Sequence, residues 1–415
     1  MQSHGIRIAG MNRADLIAAP SSMERALSQE LATLQREGLR RTLRPLHGRA
    51  GARIASKTRV LLDFSSNDYL GLASDPRVAR AAAAALEAAG TGAAAARLIS
   101  GNHELHDELE RSIARFLGRE AALLFPSGYS ANVGAIPALV GRGDAIFSDL
   151  LNHASLIDAC RLSRADVHVL PHAGLAALER ALERQAGRYR RRLIVVEGIY
   201  SMDGNLYPLD ALVPLARRHD AWIYLDDAHG VGVLGPGGRG SAEHWGVGQA
   251  VDIVMGTLGK ACGVAGAFVT GSRSLVDYLT NRARAFVYTT GTPPALAAAA
   301  LTAFEIMEKE PERRVRVRAN ARRLRAGLAA RGRPAAGPAD GHIVPVVIGA
   351  SDATMAAGAA LEDAGFLVGA IRPPTVPQGT ARLRITVSAS HDADAIDALL
   401  GALLDALAAA LPSSP

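Results

Sequence analysis

Short apolar runs alternate with helix-patterned stretches through the middle of the chain. The runs are Ala122–Phe125, Ala145–Phe147, Val167–Leu170, Leu193–Glu197, Trp222–Asp226, Ile253–Gly256 and Ala267–Thr270. Most are continuously apolar, the pattern of strands covered by helices on both faces. Parallel neighbours need a crossover connection, and the helical stretches between the runs supply it. The expected fold is therefore α/β with a mainly parallel central sheet.

The two ends of the chain read differently. Residues 1–20 look like a loose tail. Ser21 with Glu24 has the form of a capping box, and Leu27, Leu31 and Leu34 follow at helical spacing. A tail, helix and linker are expected over 1–60, and a large α/β domain over 61–309. A Pro/Gly-rich stretch, Arg333 to Gly341, precedes strand signals at Ile343–Ile348 and Leu383–Val387. The last helix carries Ile396, Leu399, Leu400, Leu403, Leu404 and Leu407 on one face. A smaller α+β domain is expected over 310–415.

Composition narrows the function. The 415 residues are 49% hydrophobic, enough for a large core. The formal charge is +6, and basic residues are dense from Arg36 to Arg59. They form either a solvated face or a patch that attracts a phosphate-bearing substrate such as coenzyme A. No aromatic residues interleave with them and no zinc or recognition-helix spacing occurs, which argues against nucleic acid. Cys160 and Cys262 make no disulfide framework and no metal cluster, so no metal is expected. The first thirty residues lack the apolar core of a signal peptide, and charges interrupt the Ala-rich stretches. A cytoplasmic protein without a membrane span is expected.

Lysine is scarce: Lys57, Lys260 and Lys309 are the only ones. Lys260 follows an apolar strand in Thr257-Leu258-Gly259-Lys260, with Gly263 and Gly266 close behind. Burying an ammonium is costly, and a Schiff base with a cofactor aldehyde removes that objection. A snorkelling surface lysine fits the motif alone equally well. Lys57 lies in a turn and Lys309 in a charged helix, so both are weaker candidates.

Asp226, Asp227 and His229 end another apolar run. Ligands of open α/β sheets gather at carboxyl strand ends. A carboxylate there can hold a pyridine nitrogen protonated, and a nearby histidine can bond a ring hydroxyl. Ser127-Gly128-Tyr129-Ser130 joins a strand to a helix, whose N-terminal N–H groups suit a phosphate. His153 and Ser201 each follow a further strand, and His153 could stack on a planar ring. Each motif alone also reads as a cap or polar loop. Their serial order, each after its own strand, is harder to explain by structure alone.

These motifs resemble the α-oxoamine synthase family, pyridoxal 5'-phosphate (PLP) enzymes of fold type I. The resemblance rests on Phe64-Ser65-Ser66-Asn67-Asp68-Tyr69-Leu70-Gly71-Leu72, Ser127-Gly128-Tyr129 and Asn152-His153-Ala154-Ser155-Leu156. It extends to Glu197-Gly198-Ile199-Tyr200-Ser201-Met202-Asp203-Gly204, Leu225-Asp226-Asp227-Ala228-His229-Gly230 and Thr257-Leu258-Gly259-Lys260, and runs from about Leu39 to His391. It implies Lys260 as the Schiff-base lysine and proton acceptor, and Asp226 as partner of the pyridine nitrogen. It implies His229 and Ser201 near the ring hydroxyl, His153 on the ring, and Gly128, Tyr129 and Thr257 at the phosphate. Thr289 and Thr290, in Tyr288-Thr289-Thr290-Gly291, resemble a segment that reaches the cofactor phosphate of the other subunit in a homodimer. Arg40 and Thr375 match substrate-contact positions, and Asn67 and Arg384 match groups near the substrate carboxylate. Strand alternation puts Arg382, Arg384 and Thr386 on one face, and a guanidinium fork suits a carboxylate.

The segment Arg372-Pro373-Pro374-Thr375-Val376-Pro377 resembles the family branch that joins L-alanine to a pimeloyl thioester on the way to biotin. The implied acyl donor is pimeloyl-CoA or pimeloyl-acyl carrier protein. Alternatives are a sister synthase with glycine, serine or another acyl thioester, and a non-catalytic partner subunit. The chain departs from the family pattern at Ala93-Ala94-Ala95-Ala96, at Ala173-Gly174 after His172, and at Cys262. These positions bear on the shape of the substrate pocket, not on cofactor binding.

Overall fold

The computed structural model describes residues 21–56 and 59–410. The tail expected over 1–20 and Lys57 lie outside the described residues. The chain divides into two compact units, Met1–Leu46 and His47–Pro415. The first contains the helix Ser22–Arg36, capped by the Ser21 side chain, which accepts from the Glu24 N–H at 3.1 Å. Its leucines Leu27, Leu31 and Leu34 are exposed.

The second unit begins with the strands β1 (His47–Ala50), β2 (Arg53–Ala55) and β3 (Val60–Asp63). The stretch read as a linker thus holds two strands. They are four and three residues long, mostly exposed, and contain Arg49 and Arg53. So short a run shows no alternation to read.

The central sheet comprises β4 (Ala121–Phe125), β5 (Ala145–Asp149), β6 (Asp166–Leu170), β7 (Arg192–Glu197), β8 (Trp222–Asp226), β9 (Ile253–Thr257) and β10 (Ala267–Gly271). Its order is β4-β10-β9-β8-β7-β5-β6. Only β10 runs against its neighbours. All seven expected runs are strands. Six bury nearly every residue, as continuous apolar runs require. The exception is β6, an edge strand with Val169 59% exposed.

The C-terminal part adds β11 (Ile343–Gly349), β12 (Phe366–Leu367), β13 (Gly369–Ile371) and β14 (Ala381–Thr386). β11, β14 and β13 form an antiparallel sheet, while β12 pairs in parallel with β3. The small β12 and β13 were not legible beforehand. All of β14 is buried, including Arg382 and Arg384, with Leu383 and Ile385 in the core on its other face. The helix Ala393–Ala410 buries Ile396, Leu399, Leu400, Leu403 and Leu407 as its periodicity predicts. Among the described residues no helix is long and apolar enough to cross a membrane.

The loop after β9 is fixed by a close approach. Gly263 adopts φ +71°, and a Cβ there would lie 2.3 Å from the Ala73 nitrogen. The lysine loop thus rests directly on the backbone that follows Asn67 and Tyr69. Replacing Gly263 with alanine should cost roughly 2–4 kcal/mol, from the positive φ and from forced backbone movement. Denaturant unfolding checks this; an unchanged midpoint would show that the loop yields without cost.

Candidate active site

The parallel strands β5, β7, β8 and β9 end on one edge of the sheet, and β4 runs the same way. The loops after these strands carry Ser127–Tyr129, His153, Ser201, His229 and Lys260. The motifs scattered along the sequence therefore meet at one place for a topological reason.

Lys260 and His229 are in direct contact, Nζ to Nε2 at 2.7 Å. The other ring nitrogen of His229 lies 2.6 Å from the Tyr69 hydroxyl. Tyr69 donates to Asn67 Oδ1 at 3.1 Å, and Arg384 Nη2 donates to the same oxygen at 3.3 Å. Arg384 also donates through Nε to the Ser201 carbonyl at 2.5 Å. Five of the expected residues, Lys260, His229, Asn67, Arg384 and Ser201, thus form one hydrogen-bonded group. Ser201 joins it through its backbone.

Asp226 sits at the end of β8 and accepts from Asn132 Nδ2 at 2.9 Å and from the Ala228 N–H at 3.1 Å. Asn132 lies on the helix Gly128–Leu139, so this bond ties the carboxylate to the helix whose first turn holds Gly128 and Tyr129. Tyr224 donates to Asn132 Oδ1 at 2.8 Å and sets the amide's orientation. His153 caps the helix Ala154–Ser163, and its N–H donates to Glu197 Oε1 at 2.6 Å.

Burial governs the electrostatics. It pulls the Lys260 amine down to about 8, a fall that Asp226 and Glu197 partly resist. Burial, then the charges of Lys260 and Arg384, holds His229 well below the ordinary imidazole range. Burial, then the charge of Asp226, pushes Glu197 well above the carboxylate range. Burial also lifts the Tyr69 hydroxyl to about 12, so it remains a proton donor.

The donor set fits PLP. The cofactor's handles include an aldehyde, a ring nitrogen and a phosphate. Lys260 offers an amine, Asp226 a carboxylate, and the first turn of Gly128–Leu139 offers N–H groups that have no intrahelical acceptor. The Thr257 hydroxyl donates to the Gly266 carbonyl at 3.1 Å and accepts from the Gly259 N–H at 3.1 Å. Among the described residues no group of three or more His, Cys, Asp or Glu side chains is arranged to hold a metal ion.

The remaining expected residues lie further out. Thr289 and Thr290 border a small cleft with Phe125 and Pro126, just before the Ser127 turn. Thr375 is exposed in the turn between β13 and β14, where its N–H bonds the Arg372 carbonyl at 3.2 Å. Arg40 belongs to the unit Met1–Leu46 and not to the unit carrying this site. Lys309 pairs with Glu305 at 3.2 Å on an exposed helix face.

Sequence reasoning did not single out Tyr69, Asn132, Glu197 or His342. Glu197 could have been found as a second strand-end carboxylate beside Asp226, its partner in the parallel register. Asn132 lies one helical turn beyond Gly128. His342 carried no signal: it is 1% exposed, packs edge-on against Tyr69 with centroids 4.2 Å apart, and is driven down to about 3 mainly by burial.

Residues 59–403 match the family model for aminotransferase class I and II. The chain belongs to that family. Its fold is fold type I, and the family is PLP-dependent. A relative named 8-amino-7-oxononanoate synthase, from Anaeromyxobacter dehalogenans strain 2CP-1, is 50% identical over 389 residues, covering 94% of this chain and 96% of that protein. A serine palmitoyltransferase from S. paucimobilis, a lysine-to-alanine variant solved with a PLP–myriocin aldimine bound, superposes with a TM-score of 0.87. It is 30% identical, with 93% and 97% of the two chains covered. The structure of 8-amino-7-oxononanoate synthase from Francisella tularensis superposes at 0.72 with 26% identity, covering 83% and 97%.

The depressed Lys260 amine makes a pH prediction. Only the neutral amine attacks an aldehyde, and its fraction grows with pH. In cofactor-free protein, the rate of adduct formation between Lys260 and PLP should rise with a midpoint near pH 8. Peptide mapping after borohydride reduction at a series of pH values checks this. A midpoint above 10, typical of an exposed lysine, would contradict the buried environment.

Proposed function

We propose that this chain joins L-alanine to a pimeloyl thioester, releasing carbon dioxide and the thiol carrier, to give 8-amino-7-oxononanoate in biotin synthesis. The observation that carries the reading is the 50% identity, over 94% of the chain, to a relative of that name. The site supports it: a reactive amine lies one hydrogen-bonded network away from a buried guanidinium suited to an amino-acid carboxylate.

PLP, when bound, supplies an electrophilic aldehyde and a ring that can delocalise an electron pair. Asp226, held by Asn132 and the Ala228 N–H, keeps the ring nitrogen protonated. Gly128, Tyr129 and Thr257 would hold the phosphate, with Thr289 and Thr290 serving the other protomer of a homodimer. His153 would stack on the ring, and His229 and Ser201 would serve its hydroxyl. Arg384 and Asn67 take the carboxylate of alanine; two guanidinium nitrogens are already anchored, so little entropy is lost on binding. Lys260, neutral in part near pH 8, accepts the α-proton. Thr375 contacts the acyl donor, CoA or acyl carrier protein being its carrier. Residues 310–415 act as the smaller domain that brings Arg384 to the large domain over 61–309, and the enzyme works in the cytoplasm.

The 30% identical serine palmitoyltransferase supports a sister reading with serine and another acyl group. The higher identity to the relative named 8-amino-7-oxononanoate synthase favours the first. A non-catalytic subunit is disfavoured because Lys260, Asp226 and His229 are all present and converge.

With pimeloyl-CoA fixed, kcat/KM should be highest for L-alanine against glycine and serine. The margin should be modest, since a methyl group is worth only ~1–3 kcal/mol in a pocket. Lys260→Ala should abolish both turnover and the borohydride-reducible adduct. A preference for serine would move the chain to the sister reading.

Sedimentation of the PLP-loaded protein should give a dimer. An active monomer would remove Thr289 and Thr290 from the proposed phosphate site.

A further inference from the structure

We propose that Tyr69 is a positioning residue that decides which ring nitrogen of His229 carries its proton, and so turns a bare Nε2 toward the Lys260 amine. The argument starts at Arg384, which can only donate. The Asn67 atom it meets at 3.3 Å must therefore be the amide oxygen. The Tyr69 hydroxyl meets the same oxygen at 3.1 Å, and only the hydroxyl has a proton to give. That proton is then spent. The Tyr69 oxygen, 2.6 Å from His229 Nδ1, must accept, so Nδ1 carries the hydrogen. A neutral imidazole has one N–H, which leaves Nε2 bare and facing Lys260 Nζ at 2.7 Å.

Lys260, His229 and Tyr69 then each donate to the next member of the series, which ends on the Asn67 amide oxygen. The reverse assignment would set the Tyr69 and Asn67 oxygens against each other without a hydrogen. The tyrosine is held for this task. Its ring is fully buried and braced edge-on by His342, 4.2 Å between centroids. Its backbone N–H and carbonyl are both engaged, with Asn67 and with Ala389.

The consequence is that the nitrogen His229 presents to the site can accept but not donate: it takes a hydrogen from the Lys260 amine in the cofactor-free protein and would take one from a cofactor hydroxyl once that is bound. This rests on the reading of Lys260 as the cofactor-bearing lysine.

The test uses the full-length protein labelled with 15N at histidine. Cofactor-free protein is examined by NMR, with the His229 signals identified by their loss in His229→Asn. The wild type should show a protonated Nδ1 and a bare Nε2. Tyr69→Phe keeps the buried ring and removes the hydroxyl, so the two nitrogens should average toward a tautomer mixture. Asn67→Ala removes the acceptor and frees the Tyr69 proton for Nδ1, so the pattern should invert.

In the PLP-loaded enzyme, Tyr69→Phe should lower kcat about tenfold, the scale of one lost hydrogen bond, with KM for the amino acid changed less than about twofold. A wild type protonated at Nε2, or a pattern unmoved by either variant, overturns the proposal. Should Tyr69→Phe fail to fold, Asn67→Ala decides alone. Retention of the reducible adduct in Lys260→Ala would instead defeat the reading on which the proposal rests, and the NMR outcome stands apart from it.

Discussion

An amine held inside a protein must be compensated or made neutral. Much of this structure follows from that constraint at Lys260. Asp226 supplies the compensating charge, and Asn132 and the Ala228 N–H keep it in place. Glu197 lies close enough to compete, yet burial and the charge of Asp226 favour its protonated form. His229 accepts the amine's hydrogen while staying neutral itself. The amine is drawn down to about 8, so a minor fraction of it is neutral just below that pH, the state in which it can attack an aldehyde or accept a proton.

The C-terminal sheet completes this arrangement from the opposite side. Arg382 pairs with Asp203 and reaches the Met202 carbonyl at 3.3 Å, while Arg384 holds the Ser201 carbonyl and Asn67. The loop after β7 is thus clamped by two arginines from one strand. On its far side, Asn205 bonds His172, which pairs with Asp149 at 3.0 Å. Ser201 is fixed because the loop around it is fixed on both flanks.

The central sheet was legible in the sequence because its strands are buried on both faces and therefore read as unbroken apolar runs. β6 shows the limit: Val167–Leu170 reads as a strand, but its exposure does not, since an edge position is a property of strand order. β1, β2, β12 and β13 were illegible because two to four residues carry no periodicity. Of the site, the residues whose chemistry is rare stood out: one strand-end lysine among three, and an aspartate and histidine together at a strand end. Tyr69, Asn132 and His342 did not, because their roles depend on contacts with residues far away in sequence. The tyrosine meets His229 across 160 positions.

The alternation on β14 has a consequence for assembly. Leu383 and Ile385 fill the core while Arg382 and Arg384 face carbonyl and carboxylate oxygens. A slip of one residue would exchange the two sets, driving two guanidinium groups into hydrocarbon and stranding the oxygens they now satisfy. No mispaired form of this sheet can be reached cheaply. The two arginines that clamp the loop after β7 in the folded protein therefore also act, while the chain is folding, as a check on its alignment.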